Sequence, residues 1–182
     1  LVKLGFTQGV PTSIDDKEMS LLEIIKYLNE VGGQNGIGIL DMVENRLVGM
    51  KSRGVYETPG GTIIYKAHEL LESICLDKDL FHEKQLMALK IGALLYDAKF
   101  YSPLMESYLA FVNKASENVT GTVKLKLYKG NIICMGIDSP NSLHSLGISS
   151  FENDGDYNQY DAQGFVNIYG LSNRIMSKKG VR

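Results

Sequence analysis

The sequence predicts an α+β fold: a mixed, mainly antiparallel sheet with helices packed over it. Two observations predict this. Apolar residues alternate with polar ones in two separated runs, residues 1–14 and 120–137, and each run is folded back by a turn signal. Between these runs, several stretches repeat apolar residues at helical spacing. Strands gathered apart from helices give α+β, not the strand–helix alternation of a parallel sheet. A further strand-forming stretch, residues 37–56, is expected in the same sheet.

In chain order, Val2, Leu4 and Phe6 alternate with polar or small residues, Gln8-Gly9 turns the chain, and Pro11 limits the return to an edge position. Asp15-Asp16-Lys17-Glu18 reads as a solvated loop. Ser20-Leu21-Leu22-Glu23 is a capping box, with Glu23 reaching back to the Ser20 amide. Leu21, Ile24, Ile25, Leu28 and Val31 form the stripe of that helix, and Gly32-Gly33 is expected to end it. Strand character runs from Gly36 through Met50. Pro59-Gly60-Gly61 breaks the chain and opens a helix from Thr62 to Leu76. Such a Gly-rich loop at a helix N-terminus can also bind anions.

A second long helix is expected over Lys78 to Lys99, with Leu80, Leu86, Leu89, Ala93 and Tyr96 facing inward. Ser102 caps a third and Pro103 suits its first position, with Leu104, Tyr108, Phe111 and Val112 on the buried side. Val123, Leu125 and Leu127 point one way and Lys124 and Lys126 the other, before Lys129-Gly130-Asn131 turns a half-exposed hairpin. The last stretch holds Asp154, Asp156 and Asp161, then Phe165, Val166, Ile168, Leu171, Ile175 and Met176 at roughly helical spacing beside Gly164 and Gly170. This divides the chain into a domain over residues 1–163 and an arm over 164–182.

Composition narrows the class. Of 182 residues, 44% are hydrophobic and 22% charged, ordinary values for a globular domain able to bury a core. Net charge is −2, with both signs spread along the chain, so nucleic acid is not an expected partner. No apolar run approaches the ~20 residues that cross a bilayer. Cys75 and Cys134 lie far apart in apolar surroundings and read as buried free thiols of a cytoplasmic protein. His68 and His82 lack partners at metal-ligand spacing, and His144 lies in a Ser- and Asn-rich loop expected to be exposed. The chain opens into a strand without an initiator Met, as expected of a piece of a longer protein.

The most specific stretch is Asp41 to Thr62. Asp41, Glu44, Arg46, Lys51, Ser52, Arg53, Tyr56 and Glu57 are threaded with Met42, Val43, Leu47, Val48, Met50 and Val55. It is expected to be half buried, with its charges held in place. Fixed charges of both signs suit a zwitterion, and loops holding such groups on a scaffold often carry function. For Glu44 the bland alternative is a salt bridge to Arg46, Lys51 or Arg53; for Tyr56 it is a half-buried strand aromatic.

Val43-Glu44-Asn45-Arg46, Gly49-Met50-Lys51-Ser52-Arg53-Gly54 and Tyr56-Glu57-Thr58-Pro59-Gly60-Gly61-Thr62 resemble the matching segments of argininosuccinate synthase. Tyr27 to Gly33, Asn118 to Asn131, Ser139 to Leu143 and Asp161 to Phe165 extend the likeness in order. It covers the C-terminal part of that enzyme only: the Ser-Gly-Gly-x-Asp-Ser/Thr loop of the family's ATP-binding domain does not occur here. Ile39 stands where many relatives carry Arg.

The resemblance implies a ligase that joins citrulline to aspartate with ATP and Mg2+, through a citrullyl-adenylate, releasing pyrophosphate and then AMP. It implies a homotetramer whose C-terminal tail reaches neighbouring subunits. It places Glu44 and Tyr56 at citrulline-binding positions, and puts the groups that grip ATP and aspartate mainly in a preceding domain. No catalytic residue is expected in this chain, which is expected to be inactive alone. The rival from another class is an oligomerising scaffold that has kept the fold and lost catalysis; the presence of both Glu44 and Tyr56 argues against it.

Overall fold

The computed structural model describes residues 1–149 and 158–181. They form two compact units, Leu1–Leu143 and His144–Arg182. The fold is α+β, and every strand pairing among the described residues is antiparallel.

The first unit begins with β1 (Val2–Thr7) and β2 (Val10–Ile14), joined at Gln8 and Gly9, both in the left-handed region (φ 49° and 80°). The supposed loop at Asp15–Glu18 is a second tight turn, and Lys17–Glu18 pairs back as β3. β6 (Gly121–Tyr128) takes the other edge of β1, and β7 (Asn131–Asp138) follows it. The resulting sheet has the order β3-β2-β1-β6-β7.

Two helices cover the apolar face of this sheet. Helix α1 (Leu21–Gln34) starts at the capping box: the Ser20 amide donates to Glu23 at 2.8 Å, and Ser20 Oγ accepts from the Glu23 amide. Helix α2 (Pro59–Cys75) has Pro at its first position. Val2, Leu4, Phe6, Val123 and Leu125 from the sheet meet Ile24, Leu28, Ile63, Ala67 and Leu71 from the helices in one core. Each fully buried side chain of this kind contributes about 1.5–3 kcal/mol.

Gly32 and Gly33 do not end α1. The helix runs on to Gln34 because Gly32 lies in its contact with α2, where a Cβ would fall 2.8 Å from both Ile63 Cδ1 and Pro59 Cβ. The Pro-Gly-Gly stretch likewise serves this contact: α2 starts at Pro59, not Thr62, and the Gly60 amide donates to Asn29 Oδ1 at 2.9 Å.

Residues 37–56 are not part of the five-stranded sheet, contrary to expectation. They form a separate ribbon of β4 (Ile39–Asn45) and β5 (Lys51–Glu57), closed by a turn with Gly49 at φ 85°. Both edges of β1 are already paired, and this stretch supplies its own partner. Nor is it half buried: Val43, Leu47, Val48 and Val55 are all at least 60% exposed.

Helices α3 (Lys78–Tyr96) and α4 (Pro103–Ser116) form a hairpin. The inward face of α3 differs from the expected one. Leu86, Leu89, Ala93 and Tyr96 are exposed, whereas Lys84 is buried and Met87, Ile91 and Leu94 are half-buried. On α4, Met105 is buried while Leu104 is exposed. Cys75 is buried, but Cys134 is exposed, and both are free. In the second unit, α5 (Leu146–Ser149), α6 (Asp161–Tyr169) and α7 (Leu171–Lys178) are short, and Phe165, Val166, Ile168, Leu171, Ile175 and Met176 are exposed. Asp154 and Asp156 lie outside the described residues.

One buried ionic contact ties α2, α3 and α4 together. Lys84 Nζ bonds the Glu72 carboxylate and donates to Ser116 Oγ at 2.9 Å. His68 approaches Glu72 from one turn earlier, at 3.5 Å. Burial pushes the Glu72 carboxyl upward, but His68 and Lys84 outweigh it and hold it below the usual carboxylate range. Glu72 therefore stabilises the fold above its ordinary value, and that contribution is lost as pH falls through the lower folded value. Lys84→Met is expected to cost about 3–5 kcal/mol at neutral pH by leaving Glu72 buried without its closest partner. Glu72→Gln should give a shallower acid limb than the parent. Denaturant unfolding at several pH values checks both; a Lys84→Met variant as stable as the parent would show that the pair is not a structural tie.

Candidate functional site

The ribbon sorts its polar residues by the alternation of strand side chains. In its register Glu44 stands opposite Ser52, Met42 opposite Gly54 and Leu40 opposite Tyr56, so these six residues share one face. Asp41, Val43, Asn45, Lys51, Arg53, Val55 and Glu57 belong to the other face, as does Ile39, which stands opposite Glu57.

This division decides which cation pairs with Glu44. Arg53 makes a two-pronged contact with Asp41, at 2.8 and 2.5 Å, and Lys51 donates to Asn45 at 2.8 Å. Both contacts lie on the far face. Arg46, in the turn, is the partner of Glu44: its Nη2 lies 3.1 Å from Glu44 Oε1, while its Nε donates to Ser52 Oγ at 2.8 Å. Tyr96, near the end of α3, is the neighbour that does most to raise the Arg46 guanidinium above its ordinary value, ahead of Glu44.

The Tyr56 hydroxyl donates to the same Glu44 oxygen. The two residues are not opposite each other; they sit on adjacent strands four positions out of register, and the Tyr56 side chain spans that distance along the face. The Glu44 side chain is only 16% exposed on a ribbon that is otherwise open. The bond to the Glu44 carboxylate, helped by partial burial and by the carboxylate's charge, raises the Tyr56 hydroxyl above the usual phenol range. Tyr56 is thus held as a neutral donor beside an acceptor.

Both residues singled out in the sequence, Glu44 and Tyr56, therefore meet in one cluster. The salt bridge that was the alternative reading of Glu44 is present, and of its three candidate partners register selects Arg46. Ser52 and Tyr96 were not singled out for the site. The spacing of Ser52, Gly54 and Tyr56 at every second residue was the signal for one strand face; nothing local in the sequence pointed to Tyr96. The base of the ribbon is closed by the Thr58 amide, which donates to Gly38 O at 2.9 Å, where Gly38 (φ 79°) lets two backbone segments touch. Among the described residues, no group of three His, Cys, Asp or Glu is placed to hold a metal ion, and no helix is long and apolar enough to cross a membrane.

Fold and cluster together define an α+β domain carrying a separate two-stranded ribbon with a polar face. Residues 1–176 match the family described as the arginosuccinate synthase C-terminal domain. The chain is 51% identical to the argininosuccinate synthase of Clostridium perfringens over 97% of its length, 52% to that of Desulfitobacterium hafniense over 100%, and 54% to that of Clostridium tetani over 98%. It spans 44%, 46% and 45% of those three proteins respectively. The chain belongs to the argininosuccinate synthase family and corresponds to its C-terminal domain.

Proposed function

We propose that this chain supplies part of the citrulline site and the oligomer interface of an argininosuccinate synthase, a cytoplasmic ligase that condenses citrulline with aspartate using ATP and Mg2+. The observation that carries the reading is the convergence of Glu44, Tyr56 and Arg46 on one ribbon face. Citrulline is a zwitterion at its amino-acid end. Glu44 Oε1 is engaged by Tyr56 and Arg46, so Oε2 is the oxygen assigned to the ammonium, through a charge-assisted hydrogen bond. Tyr56 offers its hydroxyl on a rigid ring beside it, and Arg46 holds the carboxylate in place. The ureido carbon at the other end of citrulline is too unreactive for direct attack by an amine, and adenylation turns its oxygen into a leaving group. The contribution of this chain to that chemistry is positioning. ATP and aspartate are gripped mainly by a preceding domain, so the chain alone makes no argininosuccinate.

In the complete enzyme, Glu44→Gln is expected to raise the citrulline KM by roughly ten- to a hundred-fold, the worth of one charged hydrogen bond, with the ATP KM unchanged. Steady-state kinetics with each substrate varied separately test this; unchanged citrulline kinetics would remove Glu44 from the site.

The assembly half of the proposal rests on exposed apolar surface. A two-stranded ribbon is marginal by itself in water, and this one displays Leu47, Val48, Met50 and Val55. The arm displays Phe165, Val166, Ile168 and Leu171. Burying four such side chains against a neighbour contributes on the order of 6 kcal/mol. A closed homotetramer covers surfaces of this kind. Deleting residues 164–182 is expected to lower the oligomeric state while leaving the secondary structure of the remainder intact. Light scattering with circular dichroism decides the matter: a truncated protein of unreduced assembly size would exclude the arm from the interface.

A further inference from the structure

Gly54 occupies the middle of β5 without any backbone reason to be glycine. It is not among the residues with positive φ, and in a strand interior glycine weakens pairing and leaves a gap in side-chain packing. The reason is spatial. A Cβ built on Gly54 would fall 2.7 Å from the Tyr56 hydroxyl oxygen and 2.8 Å from Cζ and Cε2 of the ring. All three of these nearest atoms are at the far end of one side chain, and none of them is backbone. The phenol therefore lies folded back over Gly54, along its own strand, toward Glu44. Any larger residue at this position would occupy the volume the ring fills. Because the obstruction is the movable end of a side chain, the ring would swing away while the ribbon kept its register.

We infer that Gly54 is a positioning residue: the missing side chain is the bed on which the Tyr56 ring lies, and it sets the hydroxyl against Glu44. The inference rests on the proposed citrulline site for its consequence in the reaction, but not for its geometry. The elevated titration of Tyr56 follows from the same placement, since a ring lifted off Gly54 no longer reaches the carboxylate. Gly54 touches no substrate in this account and acts only through Tyr56.

The test uses the full-length synthase and three variants: Gly54→Ala, Tyr56→Phe and the double variant. Tyrosinate difference absorbance between a protein and its Tyr56→Phe counterpart isolates the Tyr56 titration. Gly54→Ala should melt close to the parent, bring Tyr56 back toward the ordinary phenol value, and raise the citrulline KM about tenfold with a smaller effect on kcat. Adding Gly54→Ala to Tyr56→Phe should change the kinetics by less than about twofold, because the two act through one group. An unmoved Tyr56 titration in Gly54→Ala overturns the inference. A lowered titration with unchanged citrulline kinetics upholds the positioning role and instead removes the pair from the citrulline site. If Gly54→Ala does not fold, Gly54→Ala combined with Tyr56→Ala takes the ring out of the way and should restore folding. Failure to restore it makes Gly54 a folding requirement and overturns the inference.

Discussion

The close approach of α1 to α2 is the contact from which the rest of the first unit is set. Two glycines, Gly32 and Gly60, permit it: at each, a Cβ would lie 2.8 Å from an atom of the other helix. A single added methyl at either seam would push the helices apart or displace Ile63 and Asn29, and the buried face over the sheet would lose its fit. The seam also sets where the ribbon leaves the domain. β4 follows directly on α1, α2 starts directly after β5, and the Gly38–Thr58 contact closes the base between them. The ribbon is thus anchored at its root by helix packing.

Register is what gathers the candidate site on that scaffold. Strand side chains alternate with a period of two, so a slip of one residue would send Tyr56 to the face of Asp41 and leave Glu44 behind. In the observed register the charges separate into two groups. Asp41 and Arg53 neutralise each other on one face, while Glu44, Arg46 and Tyr56 gather on the other. A ribbon of mixed charge thereby presents one acid, one base and one neutral donor together.

Much of this was legible in the sequence, for physical reasons that differ between elements. The residue 120–137 hairpin alternates so cleanly that the buried Val123, Leu125 and Leu127 follow from period alone. The capping box at Ser20 is local chemistry and needs no tertiary context. Glu44 and Tyr56 were found through family resemblance and their chemistry; their meeting depends on register, which a strand pattern does not specify when both faces are mixed. The turn between β4 and β5 was hidden because Leu47 and Val48 extend the apolar run across it, so the stretch read as one continuing strand. The phase of α3 failed for a related reason. From Leu86 to Tyr96 the helix is apolar on several sides, so helical period alone cannot choose a face. The face was in fact chosen by the charged residue Lys84, drawn inward by Glu72. Gly32 and Gly60 were read as punctuation, although close packing is what they provide.

The central claim is that the Glu44–Tyr56 face of the ribbon receives the amino-acid end of citrulline. A crystal structure of the full-length protein with citrulline bound tests it most directly. The account predicts the citrulline ammonium at about 2.7–3.2 Å from Glu44 Oε2, with the Tyr56 hydroxyl beside it. Citrulline ordered elsewhere, with Glu44 and Tyr56 contacting only each other and Arg46, would contradict it.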